Sequence, residues 1–293
     1  MSFKPGIFIW SIENDYTQGR IPVDDTLGAM GVALFKAHDG LEFEIYSPDQ
    51  IRSLAENVYR PQNIDMHPWG VARGWYAGWA YNEGRLAGEY AAATGRAYIL
   101  DLEPYPEDYW QGVPGTPRAF CQGYSETSNG LRLRLCPDAR NIGINLEEWV
   151  VEPIVDIWHP QAYYTAFATH DFRVGIMQAI TPLLNAGVPK DKIYPVLPLW
   201  YATTGEPPIV PDELETVLRW VAREGFPGVA YWRRGLMDNK LVERLLAMDD
   251  PFSSLPTSNI IVPRAEWDNL RMLLEGTRIS LATAQQKVEE FGA

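Results

Sequence analysis

The sequence predicts an α/β fold: a (β/α)8 TIM barrel followed by a C-terminal helix with a heptad pattern. Three observations lead there. Apolar runs alternate with helical patterns about eight times within roughly 250 residues, the size of such a barrel. The runs are apolar on both faces, as strands of a helix-covered parallel sheet must be. Polar and aromatic clusters follow the ends of those runs, where barrels of this kind carry their sites. An open doubly wound sheet would need a glycine-rich phosphate turn after the first strand. The chain instead has Ser11-Ile12-Glu13-Asn14-Asp15 there.

Residues 6–12 read as the first strand and 22–30 as a short helix after Pro22. Residues 31–37 form the second strand. Ser47-Pro48-Asp49 then caps a helix to about Arg60, with proline in its first turn. Residues 70–79 are expected as the third strand, and 82–94 as a small-residue helix stopped by Gly95. Residues 97–103 form the fourth strand, ended by Pro104. The proline- and glycine-rich stretch 106–140 reads as a loop with a helix from Thr116-Pro117. The fifth strand is expected at 141–146, the sixth at 155–165, the seventh at 193–201 and the eighth at 228–232. Helices are expected at 172–186, 211–224 and 238–248. Residues 1–250 thus make the barrel and 251–263 a linker rich in Ser, Thr and Pro. In 264–293, Trp267, Leu270, Leu274, Leu281, Ala284, Val288 and Phe291 recur at steps of three and four, broken at Thr277. That seam suits a coiled coil joining copies of the chain or holding an assembly partner. The competing expectation is a helix folded back on the barrel.

Composition narrows the function. The chain has 293 residues, 46% of them apolar, and a formal net charge of −13. A phosphate backbone needs a basic face, so nucleic acid is not the expected partner. No run approaches the ~20 apolar residues of a membrane span. The start lacks the basic region and long apolar stretch of a signal peptide, so synthesis in the cytoplasm is expected. The two cysteines, Cys121 and Cys136, are too few for a disulfide framework and are expected as free thiols. The four histidines, His38, His67, His159 and His170, show no ligand spacing, so neither a metal nor another cofactor is expected.

Chemistry concentrates on the fourth strand. Side chains two apart share a strand face, so Asp101 and Glu103 point the same way, opposite Tyr98, Leu100 and Leu102. Two neighbouring carboxylates oppose each other's ionisation, which keeps one protonated near neutral pH. The bland alternative is an ion pair of either acid with Lys36 or Arg73. On the sixth strand His159, Gln161 and Tyr163 share a face. An amide and a phenol there would meet the acid pair, and the deeper His159 reads as a core histidine with its hydrogen bonds satisfied. With 11 Trp and 15 Tyr, Trp10, Trp75, Trp79, Trp110, Trp200 and Trp232 fall near strand ends. Indoles around two acids suit a carbohydrate better than a phosphate.

Asp101-Leu102-Glu103, Gln161-Ala162-Tyr163 and Gly228-Val229-Ala230-Tyr231-Trp232 together resemble the barrels of glycoside hydrolase family 18, the chitinase-like proteins. Phe35-Lys36-Ala37-His38-Asp39-Gly40 is similar to the second strand of family 25 lysozymes. The resemblance spans roughly residues 6–235. It implies Glu103 as general acid and Asp101 as the residue that orients a substrate acetamido group or tunes Glu103. Tyr163 would assist, and Trp232 would floor the sugar site. Gln161, Trp10, Trp75, Glu13 and Asp39 complete the expected substrate-binding set. Ala97 and Ile99 stand where chitinases carry further acids, and Phe8 and Ile9 where family 25 carries its first-strand aspartate. The implied activity is cleavage of an amino-sugar polymer, peptidoglycan or chitin-like. The alternative is a non-catalytic glycan-binding or structural barrel within an oligomeric, phage-type or extracellular assembly.

Overall fold

The computed structural model describes residues 6–9, 31–104, 109–138, 142–166, 171–199, 209–232 and 239–252. All lie in the first of the chain's two units, Met1–Ser254. The expected helix at 22–30, the linker from residue 253 onward and the heptad helix 264–293 lie outside the described residues.

Eight parallel strands form the barrel: β1 (Gly6–Ile9), β2 (Val32–Asp39), β3 (Asp65–Val71), β4 (Tyr98–Leu102), β5 (Leu133–Pro137), β6 (Val155–Trp158), β7 (Val196–Pro198) and β8 (Ala230–Trp232). Each pairs with its sequence neighbour from β1 to β6, while β8 lies between β7 and β1. The ring closes between β6 and β7 through parallel bridges at Trp158–Ile193 and Gln161–Val196. There Tyr194 N donates to Trp158 O at 2.8 Å, and Ala162 N to Val196 O at 2.9 Å. Prolines at 160 and 195 keep this seam irregular, since neither can donate to a ladder. A two-residue antiparallel strand, Phe43–Glu44, hangs off β2.

The helices follow local signals. Ser47 and Gln50 form a capping box at α1 (Pro48–Leu54). Helix α2 (Ala77–Thr94) stops at Gly95, which adopts φ 68°. It packs on α3 (Thr116–Thr127) at very close range, because Gly84 and Gly123 let each helix meet the other's backbone. The short α4 (Leu146–Val150) is followed by α5 (Phe172–Asn185), capped by Asp171. Helices α6 (Pro211–Arg223) and α7 (Asn239–Ala247) complete the described set.

Two strands stand elsewhere than expected. The third is Asp65–Val71, and residues 77–79 begin α2 instead of ending a strand. The fifth is Leu133–Pro137, while Ile142–Ile144 is a 3-10 turn. The sixth and seventh strands are shorter than expected, ending at Trp158 and Pro198. Cys121 and Cys136 are both free and buried.

Inside the ring, Phe8, Leu34, Trp69, Val71, Ile99, Cys136, Val196 and Ala230 form the core, with Tyr109, Tyr163 and Trp232 packed against it. Burying this set in an environment as dense as an organic crystal supplies the main force for closure. Outside β2 and β4, His38 and Tyr98 form a buried strut. The His38 Nε2 lies 2.5 Å from the Tyr98 hydroxyl, and its ring stacks on Tyr90 at 5.3 Å. Gly70 leaves room for this strut, since a Cβ there would stand 2.5 Å from the Tyr98 hydroxyl.

Candidate functional site

The site is assembled at the carboxyl ends of the strands. Ile99 faces the barrel core, so alternation turns Asp101 inward as well. Asp101 is buried, with Glu103 half-buried just beyond the strand. The closing seam brings Gln161 over them. Its amide nitrogen donates to Asp101 Oδ1 at 2.9 Å and to Glu103 Oε1 at 2.5 Å. One NH2 group therefore ties both acids, and the seam bridge to Val196 fixes where it stands.

Burial holds Asp101 well above the ordinary carboxylate range, and the charge of Glu103 pushes it further; Lys36 and the Gln161 hydrogen bond oppose the shift. Asp101 is therefore the member of the pair that resists ionisation. Burial also raises the Tyr163 phenol well above its usual value and pushes Tyr109 up to about 12, with Glu103 and Asp101 adding to both. Both phenols remain neutral hydrogen-bonding groups at any physiological pH.

Beside the acids lies a second charged cluster. Lys36 is almost fully buried, 2.8 Å from Asp39 Oδ2 and 5.2 Å over the Trp69 ring. Arg73, just past β3, meets Asp39 Oδ1 at 2.8 Å. Burial alone would raise Asp39, but the two cations outweigh it and hold the carboxyl below its usual range. Lys36 and Arg73, the cations expected as alternative partners of the two acids, both form ion pairs with Asp39. Asp39 is engaged by two cations of the protein.

Aromatic groups line the interior. Trp232 packs at 5.5 Å on Phe8 and 5.7 Å on Trp69. The Trp69 indole donates to Ile9 O at 3.2 Å. Trp75 lies beyond β3 on the partly exposed rim, 4.7 Å from Trp79. Trp110 is buried against Trp149 and serves packing. His159 is a core residue whose ring nitrogens make no well-aligned hydrogen bond, with the Tyr194 backbone a polar neighbour acting on it. Trp10, Glu13 and Trp200 lie outside the described residues.

The structure therefore brings together Asp101, Glu103 and Gln161, with Tyr163 and Trp232 packed on the same core. Sequence reasoning missed Trp69 and Tyr109, and gave Lys36 and Arg73 only an ion-pairing role. Inward alternation on β2 and β3 would have found Lys36 and Trp69 once β3 was correctly placed. Among the described residues no group of three or more metal-ligating side chains occurs, and no helix is long and apolar enough to cross a membrane.

No known family's sequence profile matches the chain, and no curated protein matches it by sequence. Solved structures do match in fold. A class V chitinase from Nicotiana tobaccum, solved in complex with NAG4, superposes with a TM-score of 0.52 at 12% identity, over 83% of this chain and 97% of that one. A GH18 chitinase from Pseudoalteromonas aurantia gives 0.53 at 10% identity, over 83% and 98%. A chitinase-like agglutinin from Robinia pseudoacacia gives 0.50 at 12%, over 82% and 98%. The fold is a TIM barrel similar to those of these chitinases.

Proposed function

We propose that the barrel cleaves an amino-sugar polymer by general acid catalysis. The observation that carries this reading is the Asp101–Glu103 pair, tied by one amide at the carboxyl end of β4. Glu103 is the less buried of the two and sits toward the mouth. Its proton passes to the glycosidic oxygen as the bond from that oxygen to the sugar's anomeric carbon breaks. The proton, held on Asp101 in the resting pair, moves to Glu103 when substrate binds and leaves Asp101 ionised beside the Lys36 ammonium. The acetamido carbonyl of the sugar, oriented by Asp101 and the neutral Tyr163 phenol, supports the positive charge at the anomeric carbon until water adds there and gives its proton back to Glu103. Trp232 floors that sugar, Gln161 keeps the acids in register, and Trp75 on the rim meets a more distant ring. Chitin-like polymers and peptidoglycan both supply such acetamido groups.

The test is reducing-end release from chitin and from peptidoglycan by wild type and Glu103→Gln. The reading expects release by wild type from at least one polymer and loss of it in the variant. Equal rates remove Glu103 from the acid role.

A second reading keeps the barrel as a glycan-binding module within an oligomeric assembly, residues 264–293 serving as the joining helix. It is favoured by Ala97 and Ile99, which stand where chitinases carry further acids, and by the fold's likeness to an agglutinin. Under it, wild type binds the polymer without releasing ends, and removal of residues 256–293 lowers the oligomeric state.

A further inference from the structure

The loop that follows β3 is fastened by a carboxylate outside the barrel. Glu83 is completely buried on α2. Its Oε1 accepts from the backbone N–H of Arg73 at 2.7 Å and from the Trp79 indole at 3.1 Å. Its Oε2 accepts from the backbone N–H of Gly74 at 2.9 Å. A buried carboxylate is costly unless several donors satisfy it, and three do so here. Gly74 holds φ 59°, and a Cβ there would lie 2.6 Å from the Trp110 ring, so the turn has little freedom to move. From this turn Arg73 reaches Asp39, and Asp39 holds Lys36. The Arg73 carbonyl also accepts from Gln111 N at 2.8 Å, while Glu103 O accepts from Trp110 N at 2.9 Å. The turn after β3 and the segment after β4 are thereby fixed to one another.

We propose that Glu83 is a positioning residue for the acid pair: it locks the turn after β3 so that Arg73 and Asp39 hold the Lys36 ammonium beside Asp101. This rests on the proposed hydrolase reading for its consequence in turnover, but not for its geometry. Asp39 is then a link in this chain and not a sugar contact. The groups acting on Asp101 are Glu103 beyond its own strand, Lys36 and Asp39 from β2 and the Gln161 amide, and Asp101 in turn raises Cys136 of β5 and the phenols of Tyr163, Tyr109 and Tyr98. Lys36 is the cation that draws the pair toward ionisation. Glu83 itself faces Arg73, the Trp79 indole and the Tyr98 phenol.

The test reads the pair directly, by carbon NMR titration of the side-chain carboxyls in the full chain. Lys36→Met raises the upper of the pair's two apparent midpoints by about one pH unit. Glu83→Gln puts an NH2 group against an N–H that needs an acceptor, so the turn loosens. It raises the same midpoint by a smaller amount. The double variant matches Lys36→Met alone, because Glu83 acts through Lys36. Arg73→Gln breaks the chain nearer the site while leaving the backbone contacts of Glu83 in place. It carries the same prediction should Glu83→Gln not fold. A midpoint unchanged in both Glu83→Gln and Arg73→Gln overturns the proposal, as does a double variant whose shift is the sum of the two singles. If wild type releases no sugar, the hydrolase reading fails while the titration still decides this one.

Discussion

The two ends of the barrel interior handle buried polar groups in opposite ways. At the carboxyl end, Asp101 and Glu103 share the Gln161 amide, and Asp39 joins two cations. Deeper in the barrel, His67 Nδ1 donates to Ala97 O at 3.1 Å, while His159 makes no well-formed hydrogen bond at either ring nitrogen. Burial and the nearby Arg134 push His159 down to about 3, and burial also lowers His67. These two buried histidines thus give up their charge. The carboxyl end keeps charge and surrounds it with fixed donors, an arrangement that stabilises charge developing in a substrate.

Substitutions can break that contrast. The largest effect is expected for Gln161→Leu, which leaves both acids without their shared donor. On the hydrolase reading, sugar release should fall about a hundredfold, or roughly 3 kcal/mol of transition-state stabilisation. Steady-state rates on a soluble amino-sugar oligomer check it. A fall of less than about threefold would mean that the bridge is incidental.

Next comes acid sensitivity. Burial lowers His38 to about 4 from 6.5. Its folded value lies below its unfolded one, so the unfolded chain binds more protons between those limits. Stability therefore falls as pH drops from about 6.5 to 4, by roughly 3 kcal/mol from His38 alone. Glu83 has the opposite sign: burial raises it to about 7, so its contribution weakens as pH rises from 4.5 to 7. Denaturant melts across this range should show a weaker acid loss in His38→Gln than in wild type, and an unchanged loss would contradict the assignment.

Gly70→Ala should cost about 2 kcal/mol, because the new methyl group meets both members of the His38–Tyr98 strut. A melt of the variant measures it. The smallest effect is expected for His159→Leu. Removing a buried polar ring without a well-formed hydrogen bond should raise stability by about 1 kcal/mol. It should leave turnover within about twofold, since His159 is not among the groups that act on Asp101. A large loss of turnover would show that the two ends are not separate.

The barrel was legible because alternating apolar runs and helix caps are local signals. Ser47, Gly95 and Asp171 mark helix ends where the structure has them. The third strand was hidden by Pro68, which argues against a central strand. The chain accommodates it near an irregularity in the pairing of β2 and β3, between Lys36 and His38. The aromatic run at 75–79 mimicked a strand, yet Ala77 to Thr94 follows it as one helix. The fifth strand carries Arg134, a charge in an otherwise apolar run, and so reads as loop. Of the site, Asp101 and Glu103 were legible because two-residue spacing is enough to place them on one face. Lys36 and Arg73 take their places through contacts across strands, and Glu83 acts from a helix outside the ring. No local pattern encodes those distances. That Gln161 reaches both acids depends on the seam closing the ring, a property of the whole barrel.

The central claim is that Glu103 donates a proton to a glycosidic oxygen. The most direct measurement is single-turnover cleavage of an N-acetylglucosamine tetramer by wild type and Glu103→Gln, with binding of the tetramer followed alongside. The account predicts cleavage by wild type, a loss of at least about a hundredfold in the variant, and similar binding by both. Binding with no cleavage by wild type, or equal cleavage by both proteins, would contradict it.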